Sequence, residues 1–477
     1  MLNSVHKIQE NTKRTISLPQ LGLWHKKTLL AFVDMSLLFL CLLYFHRAAT
    51  PHLEIYEFIQ NYNLNLFAAV GFFWILTIIF NFYDLDYVNK TRKVLPLSFF
   101  IGIIFTFTYF LTAAIGLNTI ISNSNLFIFI FGFTSLLIIW RIIYASVIHS
   151  NVFAKKCIIL SGIENDQTSI NEVSRALVGN EFEYGLKVVS NYKVSADQKQ
   201  IDSLSRAVER IVDKKLIDTI IIMDKDQESI SNALNTSLVK AIGNGVQVKT
   251  YFKLYEEVKE AIPVQFAGNQ LYTILPISKY NNNYVYLLWH KAIDIISSFL
   301  GLFTMLVLSP LILFMNLFFN KGPLFYKQKR VGKGGEEIEI VKFRSMIVEA
   351  EKDGAKMTIK GDKRVTQFGK IIRKLRIDEL PQFWSVLKGD MSLIGPRPEQ
   401  KTFINELVKS IPLYDSRHLI KPGITGWAQV KYEYGSSIED SLKKLEYDLY
   451  YIKNRSITLD IRIIFKTINT IVFYKGE

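Results

Sequence analysis

Leu287–Phe319 reads LLWHKAIDIISSFLGLFTMLVLSPLILFMNLFF. It is long enough to cross a bilayer as a helix. Lys291 and Asp294 stand near its start, Ser309-Pro310 interrupts its middle and Lys321 closes it. Proline withholds a helical donor and clashes with the preceding turn, so a break or strong kink is expected at Ser309-Pro310. The next stretch, Asn320–Arg376, carries 16 Lys/Arg against 7 Asp/Glu, net +9. A straight span would place that basic segment outside the cell, against the tendency of such segments to stay inside. A helix–break–helix over residues 285–320, entering and leaving one leaflet, satisfies both the apolar content and the charge. The Ser309 hydroxyl is then a candidate partner for a freed backbone carbonyl. An ordinary kinked span is the alternative.

Upstream lie four more apolar stretches, Leu29–Phe45, Leu64–Phe82, Val94–Leu117 and Leu126–Ile148. Each is about the length of a membrane helix, and too few polar faces exist to coat them as a soluble bundle. Basic residues flank them unevenly. Lys7, Lys13, Arg14, Lys26 and Lys27 precede the first, Lys90, Arg92 and Lys93 follow the second, and Lys155 and Lys156 follow the fourth. The positive-inside rule therefore puts residues 1–28 and everything after 150 in the cytoplasm, around four transmembrane helices in 29–150. About 27 mostly polar residues precede the first span, so no cleaved signal peptide is expected. Asp34 lies inside that span near its cytoplasmic end, where function and simple snorkelling are both readings.

Residues 151–280 turn polar. The β-like runs Cys157–Leu160, Thr219–Met223 and Val246–Thr250 alternate with helix-like segments such as Asp197–Lys214. That pattern predicts a small α/β, Rossmann-like domain with a parallel sheet. The first strand runs into Ser161-Gly162-Ile163-Glu164-Asn165-Asp166, without the glycines that let a backbone approach a pyrophosphate. A structural or regulatory role is expected, not dinucleotide binding. Across all 477 residues the net charge is +14 and mean hydropathy is +0.18. Apolar residues segregated into membrane segments reconcile the two, and the basic excess calls for anionic partners. The two cysteines, Cys41 and Cys157, exclude a disulfide framework or CxxC metal site.

The chemistry-bearing residues crowd into the last third, 321–477. Phosphoryl transfer needs cations on the equatorial oxygens, usually a divalent metal, and an aligned nucleophile. Asp378-Glu379 supplies adjacent carboxylates in a helix-like segment running from Phe368 to Gln382, with Arg373 five residues before Asp378. Arg344 and Arg397 stand in tight flanking motifs, and arginine clamps phosphate bidentately. A carboxylate can form an acyl phosphate while a second holds magnesium. Alone, an acidic pair in a basic helix is more often a solvated face.

The motifs GPLFYKQKRVG, KFRSM, RKLRIDELPQFWSVLKGDMSLIGPRP, KPGITGWAQV and YDLYYIKN occur in this order within Lys291–Lys475. That stretch resembles the bacterial sugar transferase family, the polyprenyl-phosphate hexose-1-phosphate transferases. The arrangement of four spans, a middle domain and this module resembles the large members that prime exopolysaccharide or O-antigen synthesis. The middle domain is similar to their CoA-binding-like domain in position and strand pattern. The resemblance implies a C-terminal α/β-type catalytic module with a re-entrant membrane hairpin broken at Ser309-Pro310. It implies a catalytic Asp378-Glu379 dyad with Asp378 as nucleophile, and magnesium held there. It implies substrate-binding roles for Arg344, Arg373, Arg397 and Asp460. Many members have Asn-Gly-Arg or Asn-Gly-Trp where this chain has Lys431-Tyr432-Glu433-Tyr434-Gly435, so the sugar choice is not inherited.

The expected reaction moves a hexose-1-phosphate from a UDP-sugar to undecaprenyl phosphate, at the cytoplasmic face of a bacterial inner membrane. A catalytically silent scaffold for polysaccharide assembly is the alternative. A transporter is disfavoured because paired broken-helix repeats are absent. Nucleic acid is not an expected partner; bilayer lipid is, and a homo-oligomer is left open. Tyr447–Tyr451 and Ile461–Tyr474 fit the membrane interface and core packing equally.

Overall fold

The computed structural model describes residues 23–49, 67–78, 80, 82–83, 91–114, 123–147, 155–161, 186–194, 197–223, 227–264, 283–320, 322–348, 350, 362–432, 435 and 437–472. Segments 1–22 and 162–185, and Glu433-Tyr434, lie outside them. The chain forms two compact units, Met1–Lys253 and Leu254–Glu477.

The first unit opens with four apolar helices, α1 (Leu23–Ala49), α2 (Phe67–Ile78), α3 (Thr91–Ala114) and α4 (Asn123–Val147). They share a phenylalanine-rich core in which Phe73 meets Phe105 and Phe133 edge-on, at 5.3 and 5.4 Å. Their outward residues are apolar too: Phe32, Phe67, Phe107 and Phe131 are all exposed. Such helices have no polar face to offer water. Among them α1 is long and apolar enough to cross a membrane. Asp34 does not snorkel. Its carboxylate accepts from Arg141 Nη2 at 2.6 Å, with both side chains fully buried. The Arg141 guanidinium lies over the Phe82 ring at 4.0 Å. A charge in so apolar a place needs its partner, and the pair ties α1 to α4.

The α/β part contains β1 (Lys155–Ser161), β2 (Leu186–Lys193), α5 (Gln198–Asp213), β3 (Thr219–Met223), α6 (Gln227–Gly243), β4 (Gln247–Thr250) and α7 (Tyr251–Lys259). The four strands form one parallel sheet in the order β2-β1-β3-β4. Ile158, Leu160, Ile220 and Ile222 bury against Leu204, Val208 and Ile211 of α5 and Leu234 and Leu238 of α6. Asp197 caps α5 by accepting from the Lys199 amide. β2 was not expected. It is an edge strand whose Lys187, Asn191 and Lys193 dilute the apolar alternation that signals a strand.

The second unit begins within α7, and its longest element is α8 (Tyr284–Phe319), a 36-residue helix long and apolar enough to cross a membrane. α8 runs on through Ser309-Pro310 without the expected interruption. Pro310 removes the donor to the Leu306 carbonyl. The Ser309 hydroxyl goes instead to the Met305 carbonyl, at 2.6 Å. At about 1.5 Å per residue, α8 is roughly 54 Å long, well over a bilayer core of about 30 Å. Both halves rest on the polar module that follows. In the first half, Asp294 accepts from the Ser392 hydroxyl and the Leu393 amide, each at 2.8 Å. Gly301 lies so close to Phe383 that an added Cβ would stand 2.2 Å from its ring. In the second half, Met305, Leu308, Ile312 and Met315 pack on Phe343, Phe368 and Ile372. Asn316 then donates to the Gly322 carbonyl at 3.1 Å. The remaining faces expose Leu288, Ile296, Phe299, Phe303, Leu306, Val307, Phe314 and Phe318.

The module continues with an antiparallel hairpin of β5 (Phe325–Val331) and β6 (Glu337–Phe343), then α9 (Gln367–Lys374). The expected single helix over Phe368–Gln382 is divided. Leu375 closes α9, Arg376 takes a left-handed conformation (φ 58°), and a 3₁₀ helix occupies Ile377–Gln382. Next come α10 (Phe383–Lys388), β7 (Ser392–Ile394), α11 (Lys401–Ser410), β8 (Gly423–Thr425), α12 (Trp427–Lys431), α13 (Ile438–Asn454) and α14 (Ile457–Val472). Ser437 and Asp440 form a reciprocal capping box at the start of α13. β7 and β8 pair in parallel where two glycines touch: an added Cβ on Gly423 would stand 2.1 Å from the Gly395 nitrogen. Tyr447–Tyr451 belongs to the core: Leu449 and Tyr451 are buried and Tyr450 stacks on Trp427. Of the segment after Asp460, Ile463 is buried while Ile468 and Ile471 are exposed.

Candidate active site

Asp378 and Glu379 open the 3₁₀ helix, and the sharp turn at Arg376 aims them. Ile377 and Leu380, on either side, join the apolar cluster around Ile312 of α8, so the turn is braced on that helix. Consecutive residues of a 3₁₀ helix point about 120° apart. Both carboxylates are nonetheless buried, at 7% exposure each, with different surroundings.

Glu379 is encircled by cations. Lys342 Nζ donates to Oε1 at 3.1 Å, Arg397 Nη2 to the same oxygen at 3.2 Å, and Arg376 Nη1 lies 3.7 Å from Oε2. Burial alone would favour the neutral acid, but Lys342, Arg397 and Arg376 overcome it and hold Glu379 far below the usual carboxylate range. Asp378 has no such cage. Its Oδ1 is buried without a hydrogen-bond partner. Burial, then the neighbouring Glu379 charge, push its carboxyl up to about 6, against the pull of Lys342, Arg373 and Arg376. The result is one permanently ionised carboxylate locked by cations, beside a second with an uncommitted oxygen.

The structure thus brings together Asp378, Glu379 and Arg397, and the charge of Arg373 acts on Asp378. Arg344 faces elsewhere: its Nε donates to the Pro323 carbonyl at 2.8 Å and its guanidinium lies 5.7 Å from the Tyr326 ring centre. Asp460 is fully buried in another network. It accepts from Tyr451 Oη at 2.9 Å and meets His290 Nδ1 at 3.1 Å; His290 Nε2 in turn lies 2.9 Å from Ser392 Oγ. That network ties the start of α8 to β7, α13 and α14. Among the described residues, no group of three or more His, Cys, Asp and Glu side chains is placed to hold a metal. A cation shared with a phosphate needs fewer protein ligands. The free oxygen of Asp378 fits that use, whereas the oxygens of Glu379 are already engaged.

Two residues that hold Glu379 were overlooked in the sequence, Lys342 and Arg376. Both stood in quoted motifs, KFRSM and RKLRIDEL. The alternation of β6 carried the signal for the first. Phe343 faces the apolar cluster, so Lys342 points to the opposite side of the strand. Arg417 left no sequence signal. Buried, it donates to Asp448 at 2.8 Å, to Tyr414 Oη at 2.7 Å and to the Arg397 carbonyl at 3.1 Å, supporting the Pro396-Arg397-Pro398 turn from behind.

Comparison with known proteins places this module. The family model described as bacterial sugar transferase matches residues 285–474. A UDP-N-acetylgalactosamine-undecaprenyl-phosphate N-acetylgalactosaminephosphotransferase of Aeromonas hydrophila is 48% identical over 206 residues, 43% of this chain and 47% of that protein. A UDP-glucose:undecaprenyl-phosphate glucose-1-phosphate transferase of Klebsiella pneumoniae is 39% identical over 200 residues, 41% of this chain and 42% of that protein. The chain thus spans less than half the length of these two relatives. An exopolysaccharide production protein of Rhizobium leguminosarum bv. phaseoli is 40% identical over 190 residues, 37% of this chain but 92% of that protein. A relative matched over nearly its whole length, together with the family model across the site, shows that this chain belongs to the bacterial sugar transferase family.

Proposed function

We propose that the protein transfers a hexose-1-phosphate from a UDP-sugar to undecaprenyl phosphate, priming polysaccharide synthesis at the cytoplasmic face of the membrane. The observation that carries this reading is the unequal carboxylate pair, a caged Glu379 beside an Asp378 with a free oxygen. In the first step, an Asp378 oxygen attacks the sugar-bearing phosphorus of the donor. The bond from that phosphorus to the bridging oxygen breaks, and UMP leaves with the electron pair. In the second step, a phosphate oxygen of undecaprenyl phosphate attacks the same phosphorus. The bond to Asp378 breaks, the carboxylate is restored and undecaprenyl-diphospho-sugar departs. Arg397 and Arg373 bind and neutralise the donor phosphates in the first step. Magnesium, when bound at Asp378, would supply further charge neutralisation on the donor phosphates. Glu379 works indirectly, fixing Lys342 and Arg397 at the site.

The names of the relatives support both substrate classes, and the donors they name differ: N-acetylgalactosamine in one, glucose in another. A panel of UDP-sugars with undecaprenyl phosphate and magnesium tests the reading by UMP release. Release with one donor is expected, and silence with every donor from folded protein would overturn it. The rate should also follow the ionisation of Asp378. It is flat above pH 7 and falls about tenfold per unit below about 6, as the nucleophile takes up a proton. A rate unchanged down to pH 5 at limiting magnesium would show that the Asp378 carboxyl is not held up in the working site.

We also propose that α8 lies within one leaflet and does not cross. A helix of this length with both halves packed on one polar module has no way to put its ends on opposite sides while the module stays in water. Its exposed apolar faces are then the lipid-facing ones. Cysteines at Lys214 and Lys333, before and after α8 and both exposed, should resist a membrane-impermeant thiol reagent in intact cells and react after lysis. Labelling of the second in intact cells would make α8 a span.

A further inference from the structure

The segment Leu254–Val264 lies outside the family-matched residues 285–474, yet it belongs to the same compact unit. It is strapped across the three C-terminal helices. Glu256 accepts from Lys453 at 2.7 Å and from Asn454 at 2.9 Å on α13. Tyr255 Oη donates to Glu446 at 3.0 Å, and the Ile262 amide donates to the Glu446 carbonyl at 2.9 Å. Ala261, Ile262 and Val264 are buried.

Glu260 is the centre of this strap. It holds a left-handed backbone conformation, φ 54°, which a non-glycine residue adopts where surroundings enforce it. Its amide donates to the Glu256 carbonyl, and its carbonyl and carboxylate reach α12 and α14. Its carbonyl accepts from the buried Trp427 indole at 2.9 Å. Its carboxylate accepts from Lys431 at 2.7 Å and from Arg462 at 2.8 Å. The Lys431 ammonium and Arg462 guanidinium also lie over Trp427, 4.9 and 5.1 Å from its rings. Burial opposes the charge, but Lys431 and Arg462 prevail and hold Glu260 at about 2, so it is anionic throughout the physiological range.

From α12 the contacts lead to the site. The turn before α12 closes on the Gly395 loop: the Gly395 amide donates to the Thr425 carbonyl and the Gly423 amide to the Pro396 carbonyl, each at 2.9 Å. Arg397, the next residue, donates to Glu379. We propose that Glu260 is a positioning residue for the nucleotide-sugar. It fixes α12, and through the paired glycine loops it sets where Arg397 meets the donor phosphates. This rests on the transfer reading given above.

The test uses the full chain in lipid nanodiscs with a UDP-sugar that the wild type turns over. Glu260→Gln keeps the size and removes the charge. It should raise the donor KM about tenfold while kcat and the KM for undecaprenyl phosphate stay within twofold. Amide exchange at Trp427–Lys431 should quicken. Lys431→Met should act in the same direction, and the double variant should be no worse than the stronger single, because each removes the same contact. If Glu260→Gln does not fold, Lys431→Met decides on the same split. A donor KM within twofold of wild type, or donor and acceptor KM rising together as thermal stability falls, would overturn the proposal. If the wild type releases no UMP from any donor, the transfer reading fails by itself. The strap then stands on amide exchange alone, and unchanged protection at Trp427–Lys431 in Glu260→Gln sinks it.

Discussion

Asp378→Asn should lower UMP release by about 10³-fold or more, since the other carboxylate on this turn, Glu379, is held by Lys342, Arg397 and Arg376 and an amide cannot form the acyl phosphate. The same variant should fold at least as well as the wild type. An amide of the same shape replaces a carboxylate that has an unpartnered oxygen and sits beside the charge of Glu379. Relieving that repulsion removes a cost from the folded state. The measurements are UMP release and a thermal melt on the same preparation. Turnover near the wild-type rate would end the nucleophile assignment, whereas a collapsed melting curve would leave the loss uninterpretable as chemistry. Trapping should agree: radiolabelled sugar phosphate stays on wild-type protein when undecaprenyl phosphate is withheld, and not on Asp378→Asn.

Arg417→Met should strongly destabilise the second unit. Removing one partner of a buried ion pair costs about 3–5 kcal/mol, because the other charge is left without compensation. Here the stranded group is Asp448, 2% exposed, which must take up a proton or draw in water. A melting midpoint lower by roughly 10 °C follows for a unit of this size. The Arg397 carbonyl loses its donor at the same time, so activity should fall before the unit unfolds. Arg417→Met with Asp448→Leu should recover most of the stability, since an apolar pair of similar volume replaces a buried ionic one at little cost. If the double variant melts no higher than the single, the arginine contributes through Tyr414 and the Arg397 carbonyl, and the ion pair is secondary.

The local signals in this chain were readable, and the distant ones were not. Apolar runs mark the helices because lipid-facing and core-facing residues are both apolar there. Asp378-Glu379 was legible through the motifs around it, since alone it reads as a solvated face and Glu336-Glu337 is a similar pair in the same basic stretch. Phe368–Gln382 reads as one helix because nothing in the residue types announces that Arg376 will adopt a positive φ. Asp34 pairs with Arg141 across 107 residues and Glu260 with Arg462 across 202, and no periodicity reaches that far. Arg344 and Lys342 share one motif. Alternation alone would put both on one face, but β6 ends at Phe343 and the Arg344 side chain turns to the Pro323 carbonyl, a departure that residue type does not encode.

The bracing of Ile377 and Leu380 on α8 bears on how this protein can be handled. The acidic turn has a floor made of Met305, Leu308 and Ile312, and that floor belongs to the same helix whose other faces want lipid. A water-soluble fragment begun after Phe319 would carry every polar residue of the site and lack the surface on which the turn rests. The polar module is therefore not a separable soluble part on a tether that can be clipped off for crystallisation or screening. Its long apolar helix is part of the workbench, and fragments intended for assay need to begin before Leu254, where the compact unit starts.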